Sequence, residues 1–293
     1  MSKITKAVLA CGGWSTRFLP AVKTFAKQMV PILDKPQIHY ILEELAGAGI
    51  TDICIVHREG EDSLKKYFTP DLELEAYLQE TGKVAAMASW HELVSKFNSI
   101  QFLPQTKDFP YGNGVPILVA KDFIGTDPFV YLFADDLHIE DTPGTFLSQM
   151  IATYEQYQPA AVAAVEEVPA PEIVRYGSVK YTPDPKYPHR ASAIFEKLPA
   201  SEAPSLFGVG GRFVLSAKYI ETLQNTKTSK GELWLADANN YLAKNDVVLT
   251  QELPHGVWMT TGDPLRWLKA NITMALKHPE FKDSLIEFMK KSL

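Results

Sequence analysis

The stretch Ala10-Cys11-Gly12-Gly13-Trp14-Ser15-Thr16-Arg17-Phe18-Leu19-Pro20 overlaps the end of an apolar run, Thr5–Ala10. An apolar run that ends in a glycine pair predicts a buried strand entering a turn. Glycine lets backbone N–H groups approach an anionic or planar ligand closely, so Gly12 and Gly13 are candidate ligand-binding residues. On the glycines alone, an ordinary strand-to-helix turn is an equal alternative.

Two basic residues, Arg17 and Lys27, are the cations that such a loop needs to neutralise a triphosphate. Arginine grips phosphate oxygens with a planar fork, whereas lysine acts as a point charge. The loop matches neither the Walker phosphate loop nor the G-x-G-x-x-G pattern. Trp14 is either an aromatic lid over a nucleotide or a packed loop side chain, and the sequence does not rank these two interpretations.

Downstream of this loop, strand-like and helix-like patterns alternate. Alternation of this kind predicts βαβ units, and therefore a mostly parallel sheet with right-handed crossovers. The predicted helices are Pro36–Ala48, Ser63–Phe68, Leu72–Gln79, Val84–Phe97 and Val115–Asp122, and the predicted strands are Asp52–Val56, Ile100–Leu103 and Phe129–Phe133.

The pattern changes from Ala160 onward. Short strand candidates separated by Pro-rich stretches favour a smaller β subdomain added over the edge of the sheet. The tail Pro264–Leu293 has helical periodicity, and we find no linker. We therefore predict one α/β domain over residues 1–293. The late strand candidates are Ala160–Glu166, Ser178–Tyr181, Ser192–Phe195 and Phe207–Leu215.

Composition excludes several classes of protein. With 293 residues, of which 46% are hydrophobic and 22% charged, the chain falls in the ordinary globular range. A net charge of −6 argues against a nucleic-acid partner. Cys11 and Cys54 lie in apolar runs, which is typical of free thiols in a reducing compartment. The apolar runs are too short to span a membrane, and the opening MSKITK is unlike a signal peptide, so we expect a cytoplasmic protein without a membrane partner.

Two pairs of charged residues carry candidate chemistry. Asp135-Asp136 follows an apolar strand, so both acids emerge at its carboxyl end, where open α/β sheets bind ligands. A carboxylate oxygen there suits Mg²⁺, although a helix cap or turn is the alternative. Glu196-Lys197 combines a carboxylate that can bind hydroxyls with a cation that can bind phosphate. Taken alone, that pair is more often a solvated surface pair.

The order of these residues resembles the signature G-x-G-T-R-x-x-P…K-x-M-x-P-x-x-x-K-P of the sugar-1-phosphate nucleotidyltransferases. The resemblance is closest to the bacterial UTP–glucose-1-phosphate uridylyltransferases. Similar blocks continue in family order over nearly the whole chain. They include Lys27-Gln28-Met29-Val30-Pro31, Asp34-Lys35-Pro36, Phe133-Ala134-Asp135-Asp136, Arg175-Tyr176-Gly177, Phe195-Glu196-Lys197, Gly211-Arg212-Phe213-Val214-Leu215 and Thr261-Gly262-Asp263.

The resemblance implies a Rossmann-like nucleotidyltransferase fold. Residues 1–159 would form the nucleotide-binding part, residues 160–262 the sugar-binding part, and residues 263–293 the C-terminal helices. It also implies a homodimer or homotetramer that uses Mg²⁺, UTP or another pyrimidine triphosphate, and a hexose-1-phosphate. The sugar phosphate would attack the α-phosphorus in line and release pyrophosphate.

The site residues follow from the same resemblance. Arg17 and Lys27 would act in catalysis by binding the triphosphate, Asp135 would hold the metal, and Gln105 would bind the pyrimidine. Glu196 and Gly177 would hold the hexose, and Lys197 its phosphate. The remaining nucleotide-binding candidates are Gly12, Gly13, Gln28, Gly112 and Asp136.

Several positions depart from the family pattern at the expected site. Ser15 replaces a signature glycine, and Gln28 replaces a glutamate. Two explanations remain open: a shifted preference, for example for dTTP or CTP, or a weakened paralogue that binds nucleotide-sugar as a regulatory subunit. The presence of Arg17, Lys27, Asp135 and Lys197 favours an active enzyme. The other departures are Val115-Pro116, Thr260 and Pro264.

Overall fold

A nine-stranded mixed sheet runs through the part of the chain that the computed structural model describes, residues 3–228 and 231–292. Its strand order is β5-β4-β1-β6-β11-β8-β12-β10-β9, and two small two-stranded ribbons, β13-β7 and β2-β3, lie beside it. The strands are β1 Lys6–Cys11, β2 Pro31–Ile32, β3 Lys35–Pro36, β4 Asp52–Arg58, β5 Ser99–Gln105, β6 Phe129–Phe133, β7 Asp136–His138, β8 Ala161–Glu167, β9 Gly177–Tyr181, β10 Arg190–Glu196, β11 Phe207–Leu215, β12 Val248–Glu252 and β13 Trp258–Thr260.

The first half of the sheet is parallel. Strands β5, β4, β1 and β6 pair in the same direction, as the alternation of strands and helices predicts. Their carboxyl ends therefore meet at one edge of the sheet, and the loops that follow β1, β5 and β6 lie next to each other. This edge is where ligands bind in open α/β sheets.

The second half departs from the predicted mostly parallel sheet. Strand β11 lies antiparallel between β6 and β8, and β10 is antiparallel to both β12 and β9. Strands β9, β10 and β11 follow one another without an intervening α-helix, and a parallel pair needs a longer, usually helical, crossover. The sheet is therefore mixed.

The late strands extend the main sheet instead of lying over its edge as a separate subdomain. Strand β9 also pairs with β11, through Gly208 and Ser178, so that β11, β8, β12, β10 and β9 close into a ring. Strand β11 belongs to both the ring and the sheet. The closure turns the β9–β10 pair toward the edge where the loops after β1 and β6 lie.

Helices cover the sheet and mostly match the predicted positions. The predicted helix Val84–Phe97 is a 3₁₀ turn, Val84–Met87, followed by a shorter α-helix, and the helix predicted at Val115–Asp122 is split in two. The last residue of the predicted tail, Leu293, lies outside the described residues. The α-helices are α1 Gln37–Gly47, α2 Ser63–Phe68, α3 Leu72–Glu80, α4 Ala88–Val94, α5 Val115–Val119, α6 Lys121–Ile124, α7 Thr145–Tyr157, α8 Lys218–Asn225, α9 Leu235–Asn245, α10 Pro264–Lys277 and α11 Lys282–Ser292.

Two hydrophobic clusters hold these layers together, one on each face of the sheet. On one face, α1 and α7 bury Ile38, Leu42 and Leu147 against the sheet, and all three side chains are fully buried. On the other face, α5, α8 and α9 pack around Tyr131 and Phe213. None of the described helices is both long and apolar enough to cross a membrane.

Candidate active site

A cleft with a volume of about 960 Å³ opens where the parallel half of the sheet meets the β9–β10 pair. Most of the residues that the sequence analysis selects line it. Two of them do not: Lys27 lies behind the first loop, and Gln28 is buried. The predicted residues that line the cleft are Gly12, Gly13, Arg17, Gln105, Gly112, Asp135, Asp136, Gly177, Glu196 and Lys197.

The first loop is shaped by its small residues. A Cβ at Gly12 would lie 2.7 Å from Gln105 Oε1, whereas a Cβ at Gly13 would meet nothing within 4 Å. A side chain at Gly12 would therefore displace the Gln105 amide from its present position. Ser15, at the signature-glycine position, has the left-handed φ of 54°, a conformation that glycine adopts more easily. The Ser15 substitution therefore keeps the loop geometry at some cost in backbone strain.

Trp14 is too exposed to be a packed loop side chain, and its role as an aromatic lid over a nucleotide stays a prediction. Its side chain is exposed and does not line the cleft. The guanidinium of Arg58, the last residue of β4, lies 4.6 Å from the centre of the Trp14 ring, which is a cation–π contact. Trp14 is therefore a surface residue that stacks on Arg58 beside the first loop.

Asp135 and Lys27 form the central ion pair of the site. Lys27 Nζ donates to Asp135 Oδ2 over 2.7 Å, and Lys27 is only 9% exposed. Burial acts to raise the pKa of Asp135, but the charge and hydrogen bond of Lys27, a backbone hydrogen bond and the Arg17 charge together outweigh burial and the pKa is lowered. Asp135 is therefore a carboxylate held in place by a lysine that approaches from behind the loop.

Asp136 has the opposite electrostatic environment. Burial, followed by repulsion from Asp135, raises the pKa of Asp136 to about 7. Its Oδ2 packs so closely against Gly211 that a Cβ there would collide with it. The two neighbouring acids therefore differ in charge state and surroundings, and Asp135 is the better candidate for binding a cation.

The other end of the cleft is built on β9 and β10. Gly177 at the start of β9 is directly opposite Glu196 at the end of β10, and Lys197 N donates to the carbonyl of Tyr176 over 3.0 Å. Lys197 Nζ lies 3.5 Å from Glu196 Oε1 and 4.8 Å from the Trp234 ring centre. Burial raises the pKa of Glu196 in spite of the nearby Lys197. A carboxylate, a cation and an aromatic face therefore meet at this end.

The Gly112–Gly114 loop is tied to a distant segment of the chain. Asn113 Oδ1 accepts from Leu235 N over 2.7 Å, and Gly114 N donates to Leu233 O over 2.9 Å. A Cβ at Gly112 would collide with the backbone of Leu233, and its φ of 131° also favours glycine. Gly112 therefore shapes this loop as well as lining the cleft.

Several cleft residues were not selected from the sequence. Arg175 Nη1 and Arg266 Nη1 lie 3.3 Å and 3.2 Å from Asp263 Oδ2, and Arg266 also pairs with Glu172. The Asp263-Pro264 pair is a signal for a helix start, and Asp263 does accept from Arg266 N there. The Asp263-Pro264 pair predicts only a helix N-cap, so the sequence does not indicate that Asp263 and its arginine partners line the cleft.

The side chains around Asp135 show whether this position could hold the predicted Mg²⁺. Within residues 3–228 and 231–292, no group of three or more His, Cys, Asp or Glu side chains is arranged to hold a metal ion. Mg²⁺ is commonly held by one or two carboxylates, with water and substrate phosphates supplying the other oxygens. A Cβ at Gly262 would lie 3.5 Å from both Asp135 Oδ2 and Thr260 Oγ1, and 3.7 Å from Arg17 Nη1. Asp135 and these neighbours fit a Mg²⁺ that is shared with a polyphosphate.

Comparison with known proteins gives consistent matches over the full length. A family model described as nucleotidyl transferase matches residues 6–276. A UTP–glucose-1-phosphate uridylyltransferase from Streptococcus pneumoniae serotype 4 is 37% identical, with 98% of this chain and 96% of that protein covered. A uridylyltransferase of the same description from Bacillus subtilis strain 168 is 32% identical over 99% of this chain and 97% of its own.

Solved structures give the same picture. A UTP-bound UDP-glucose pyrophosphorylase from Acinetobacter baumannii superposes with a TM-score of 0.87 at 34% identity, covering 98% of each chain. A UDP-glucose pyrophosphorylase complexed with UDP-glucose superposes with a TM-score of 0.83 at 31% identity, covering 94% of this chain and all of the other.

Proposed function

This chain belongs to the nucleotidyl transferase family, and we propose that it is a UTP–glucose-1-phosphate uridylyltransferase that makes UDP-glucose and pyrophosphate. One observation carries this proposal. A single cleft holds Arg17 and Asp135 at one end, where Lys27 binds Asp135 from behind the first loop, and Glu196 with Lys197 at the other end. The first set suits a polyphosphate and the second a phosphorylated sugar, which are the two substrates of this reaction.

The reaction needs positioning and charge neutralisation more than proton transfer. The attacking oxygen belongs to a sugar phosphate and is already anionic, so no general base is required. In-line displacement at the α-phosphorus concentrates negative charge on the transferred phosphate and on the leaving pyrophosphate. Arg17 neutralises that charge from the cleft wall, and Lys27 does so from behind the loop. Fixed donors of this kind lower the barrier without reorganisation during the reaction.

We propose Asp135 as the protein ligand of Mg²⁺. When bound, the ion would neutralise phosphate charge and withdraw electrons from the α-phosphorus. Lys27 keeps the Asp135 carboxylate ionised and oriented. Thr260 stands where the family pattern has a carboxylate, so on this proposal the remaining ligands are substrate phosphates and water.

Gln105 and the Gly112–Gly114 loop are the proposed base-reading elements. Gln105 lies at the carboxyl end of β5 and borders the cleft, so its amide can donate to and accept from a pyrimidine edge. Glu196 and Gly177 would contact the hexose hydroxyls, and Lys197 the sugar phosphate. Uracil and thymine have the same hydrogen-bonding edge, so thymidylyl transfer is the nearest competing activity.

Pyrophosphate release by the purified protein with Mg²⁺ tests the proposal. UTP, dTTP, CTP, ATP and GTP would each be paired with glucose-1-phosphate, and UTP also with the 1-phosphates of galactose, mannose and N-acetylglucosamine. We expect the highest kcat/KM for UTP with glucose-1-phosphate and loss of activity in Asp135→Asn. Asp127→Asn is the matched control, because Asp127 pairs with Lys6 away from the cleft.

Two other outcomes are informative. A different preferred pair would keep the reaction but change the specificity. Binding of UDP-glucose without any release of pyrophosphate would support the alternative of a regulatory nucleotide-sugar-binding subunit, and would contradict our proposal.

We further propose cytoplasmic localisation and assembly as a homodimer or homotetramer. Cys11 and Cys54 are free and buried, as expected in a reducing compartment. Phe281, directly before α11, and Phe288 on α11 are exposed apolar side chains that an interface could cover. Light scattering after size-exclusion chromatography would give the mass of the assembly, and a monomer at micromolar concentration would contradict this part.

A further inference from the structure

We propose that Arg212 is a positioning residue that fixes the Phe133–Asp136 segment, so that the Asp135 carboxylate is presented correctly to a divalent cation. The proposal rests on the cation site at Asp135 described under the proposed function. Arg212 does not line the cleft, is 0% exposed, and acts through the backbone of the segment that carries the acid.

Arg212 binds both ends of that segment. Its Nη1 donates to the carbonyl of Phe133 over 3.2 Å, and its Nη2 donates to the carbonyl of Asp136 over 2.8 Å. Ala134 and Asp135 lie between these two carbonyls, at the point where the chain leaves β6 and enters β7. One guanidinium therefore holds the two backbone groups that flank the cation-binding residue.

The segment needs this support because its two central residues, Ala134 and Asp135, lie in a turn without a strand partner. Strand β6 belongs to the nine-stranded sheet, whereas β7 pairs with β13 in a separate ribbon. The carbonyl of Asp135 itself accepts from Thr261 N over 2.7 Å and from Thr261 Oγ1 over 2.9 Å. Thr261 and Arg212 together supply the donors that strand pairing would otherwise provide.

Arg212 is itself held from the opposite side. Glu44 on α1 accepts from Nε over 2.9 Å and from Nη2 over 2.8 Å, a two-pronged pair that only a planar guanidinium can form. Burial is the largest influence and acts to raise the pKa of Glu44, but the charge and hydrogen bond of Arg212 together with His138 outweigh it and the pKa is lowered. The position of the guanidinium is thus set by an ionised side chain of the core helix.

A bulge in β11 brings Arg212 to this position. The register of β11 against β8 shifts between Val209 and Phe213, and Gly211 within the shift has a φ of 69°. A bulge re-aims side chains relative to a regular strand. At Gly211 it also leaves room for the Asp136 carboxyl group, because a side chain there would collide with Asp136 Oδ2. The β11 bulge therefore makes room for the Asp136 side chain and also positions the Arg212 guanidinium, which donates to the Asp136 carbonyl.

Stability alone does not account for a fully buried charged pair. Replacing a buried ion pair by apolar side chains of similar volume is often neutral or stabilising, whereas removing one partner is strongly destabilising. Glu44→Met combined with Arg212→Met leaves no unpaired charge, so we expect this double variant to fold. The carbonyls of Phe133 and Asp136 would nevertheless lose their guanidinium donors.

The experiment compares this double variant with the wild type and with Leu45→Ala. Leu45 is a fully buried neighbour of Glu44 on α1, so Leu45→Ala disturbs the same helix without touching Arg212. The readouts are Mn²⁺ binding by electron paramagnetic resonance in the presence of UTP, UTP binding without metal, and the Mg²⁺ concentration for half-maximal pyrophosphate release.

We expect the double variant to bind Mn²⁺ about tenfold more weakly and to need about tenfold more Mg²⁺, as is typical when the supports of a metal ligand are removed. Metal-free UTP binding should stay within about twofold of the wild type, and Leu45→Ala should bind Mn²⁺ normally. Arg212→Lys, which keeps a charge but not the fork, should shift Mn²⁺ binding in the same direction. It supplies the comparison if the double variant does not fold.

Two results would overturn the inference. Wild-type Mn²⁺ binding in a folded double variant, or in Arg212→Lys, would show that Arg212 does not position the site. If Asp135→Asn binds Mn²⁺ as tightly as the wild type, the proposed cation site is wrong and this inference fails with it.

Discussion

The two ends of the cleft are built in different ways. At the end that we propose binds the triphosphate, the phosphate end, Lys27 Nζ and Asp135 Oδ2 are 2.7 Å apart, and the surrounding backbone is held by Arg212 and Thr261. At the end that we propose binds the sugar, the hexose end, Lys197 Nζ and Glu196 Oε1 are 3.5 Å apart, and the Lys197 side chain is 50% exposed. The charges of the phosphate end are therefore held in place by many contacts, whereas the Glu196–Lys197 pair of the hexose end is looser and more exposed to solvent.

The pKa directions of the two carboxyl groups agree with this difference. Both groups are affected most by burial, which raises a carboxyl pKa. At Asp135 the lysine, a backbone hydrogen bond and Arg17 together outweigh burial and the pKa is lowered, whereas at Glu196 the more distant lysine does not outweigh burial and the pKa is raised. We infer that the phosphate end is preorganised for charge stabilisation, and that the hexose end gains its final arrangement when the sugar binds.

The strongest test of this comparison is Lys27→Met. Removing the buried cation leaves Asp135 without its counter-ion and the triphosphate without one positive charge. We expect kcat to fall by about 10²–10³-fold, the range for loss of one preorganised electrostatic group. Initial rates of pyrophosphate release measure it, with Lys6→Met as the control because Lys6 pairs with Asp127 outside the cleft. A loss of less than about fivefold would show that the phosphate end does not depend on this lysine.

The pH dependence of stability tests the core beneath the phosphate end. Burial lowers the pKa of His138, which lies near Glu44 and Arg212, to about 4 from its ordinary value of 6.5. Between these two pH values the unfolded chain protonates His138, whereas the folded chain keeps it neutral. The contribution of His138 to the free energy of unfolding therefore falls as the pH drops. The contribution of His138 to this loss between about pH 7.5 and pH 5 should be about 2 kcal/mol, whereas the raised pKa of Asp136 stabilises the folded chain as the pH falls over the same window.

Urea unfolding of the wild type and His138→Gln at both pH values measures this effect. We expect the stability difference between the wild type and the variant to change by about 2 kcal/mol between the two pH values, because Asp136 titrates in both proteins and its contribution cancels. The lowered pKa of Glu44 adds a further loss only below its ordinary value of 4.5, and this loss remains in the variant. Equal slopes in the two proteins would contradict the assignment to His138.

Lys197→Met should have a smaller effect and a different kinetic signature. The lysine is half exposed, so it contributes to substrate binding more than to the fixed field of the site. We expect the KM for glucose-1-phosphate to rise about tenfold, a change of about 1.4 kcal/mol, with kcat nearly unchanged. Steady-state kinetics with each substrate varied in turn provide the measurement. A kcat loss as large as that of Lys27→Met would remove the distinction between the two ends.

The smallest effect is expected for Ser15→Gly in the first loop. Ser15 has a φ of 54°, and a non-glycine residue in the left-handed region costs about 1 kcal/mol. Glycine relieves that strain but has more freedom in the unfolded chain, so we expect a net gain of about 0.5 kcal/mol. Urea unfolding measures it. A destabilised variant would mean that the Ser15 hydroxyl, which donates to the carbonyl of Gly13 over 3.4 Å, stabilises the loop by more than the backbone strain costs.

Local patterns in the sequence were sufficient to predict most elements of the fold. The strand before Gly12, helix α1 and the four late strands lie where periodicity places them, because short-range burial patterns determine them. The mixed sheet could not be predicted in this way. The antiparallel insertion of β11 between β6 and β8, and the pairing of β9 with β11, depend on contacts between residues that are far apart in sequence.

The site was predictable to the extent that residue type and order identify it. Asp135, Glu196 and Lys197 are chemically distinctive, and the structure brings them into one cleft. Arg212 was visible only as part of a similar block, because an arginine in a strand gives no sign that it will bind two backbone carbonyls. Gln28 was selected by its place in the signature, but its side chain is buried away from the cleft.

The hydrogen bonds between Asn113 and Leu235, and between Gly114 and Leu233, have a consequence for engineering this protein. They join the Gly112–Gly114 loop to the segment that leads into α9, so the two segments support each other's conformation, although more than a hundred residues separate them in sequence. If only this loop were replaced by the loop of a relative with another nucleotide preference, the new loop would lack the hydrogen-bond partners that it has in that relative. A successful graft would have to carry both segments together.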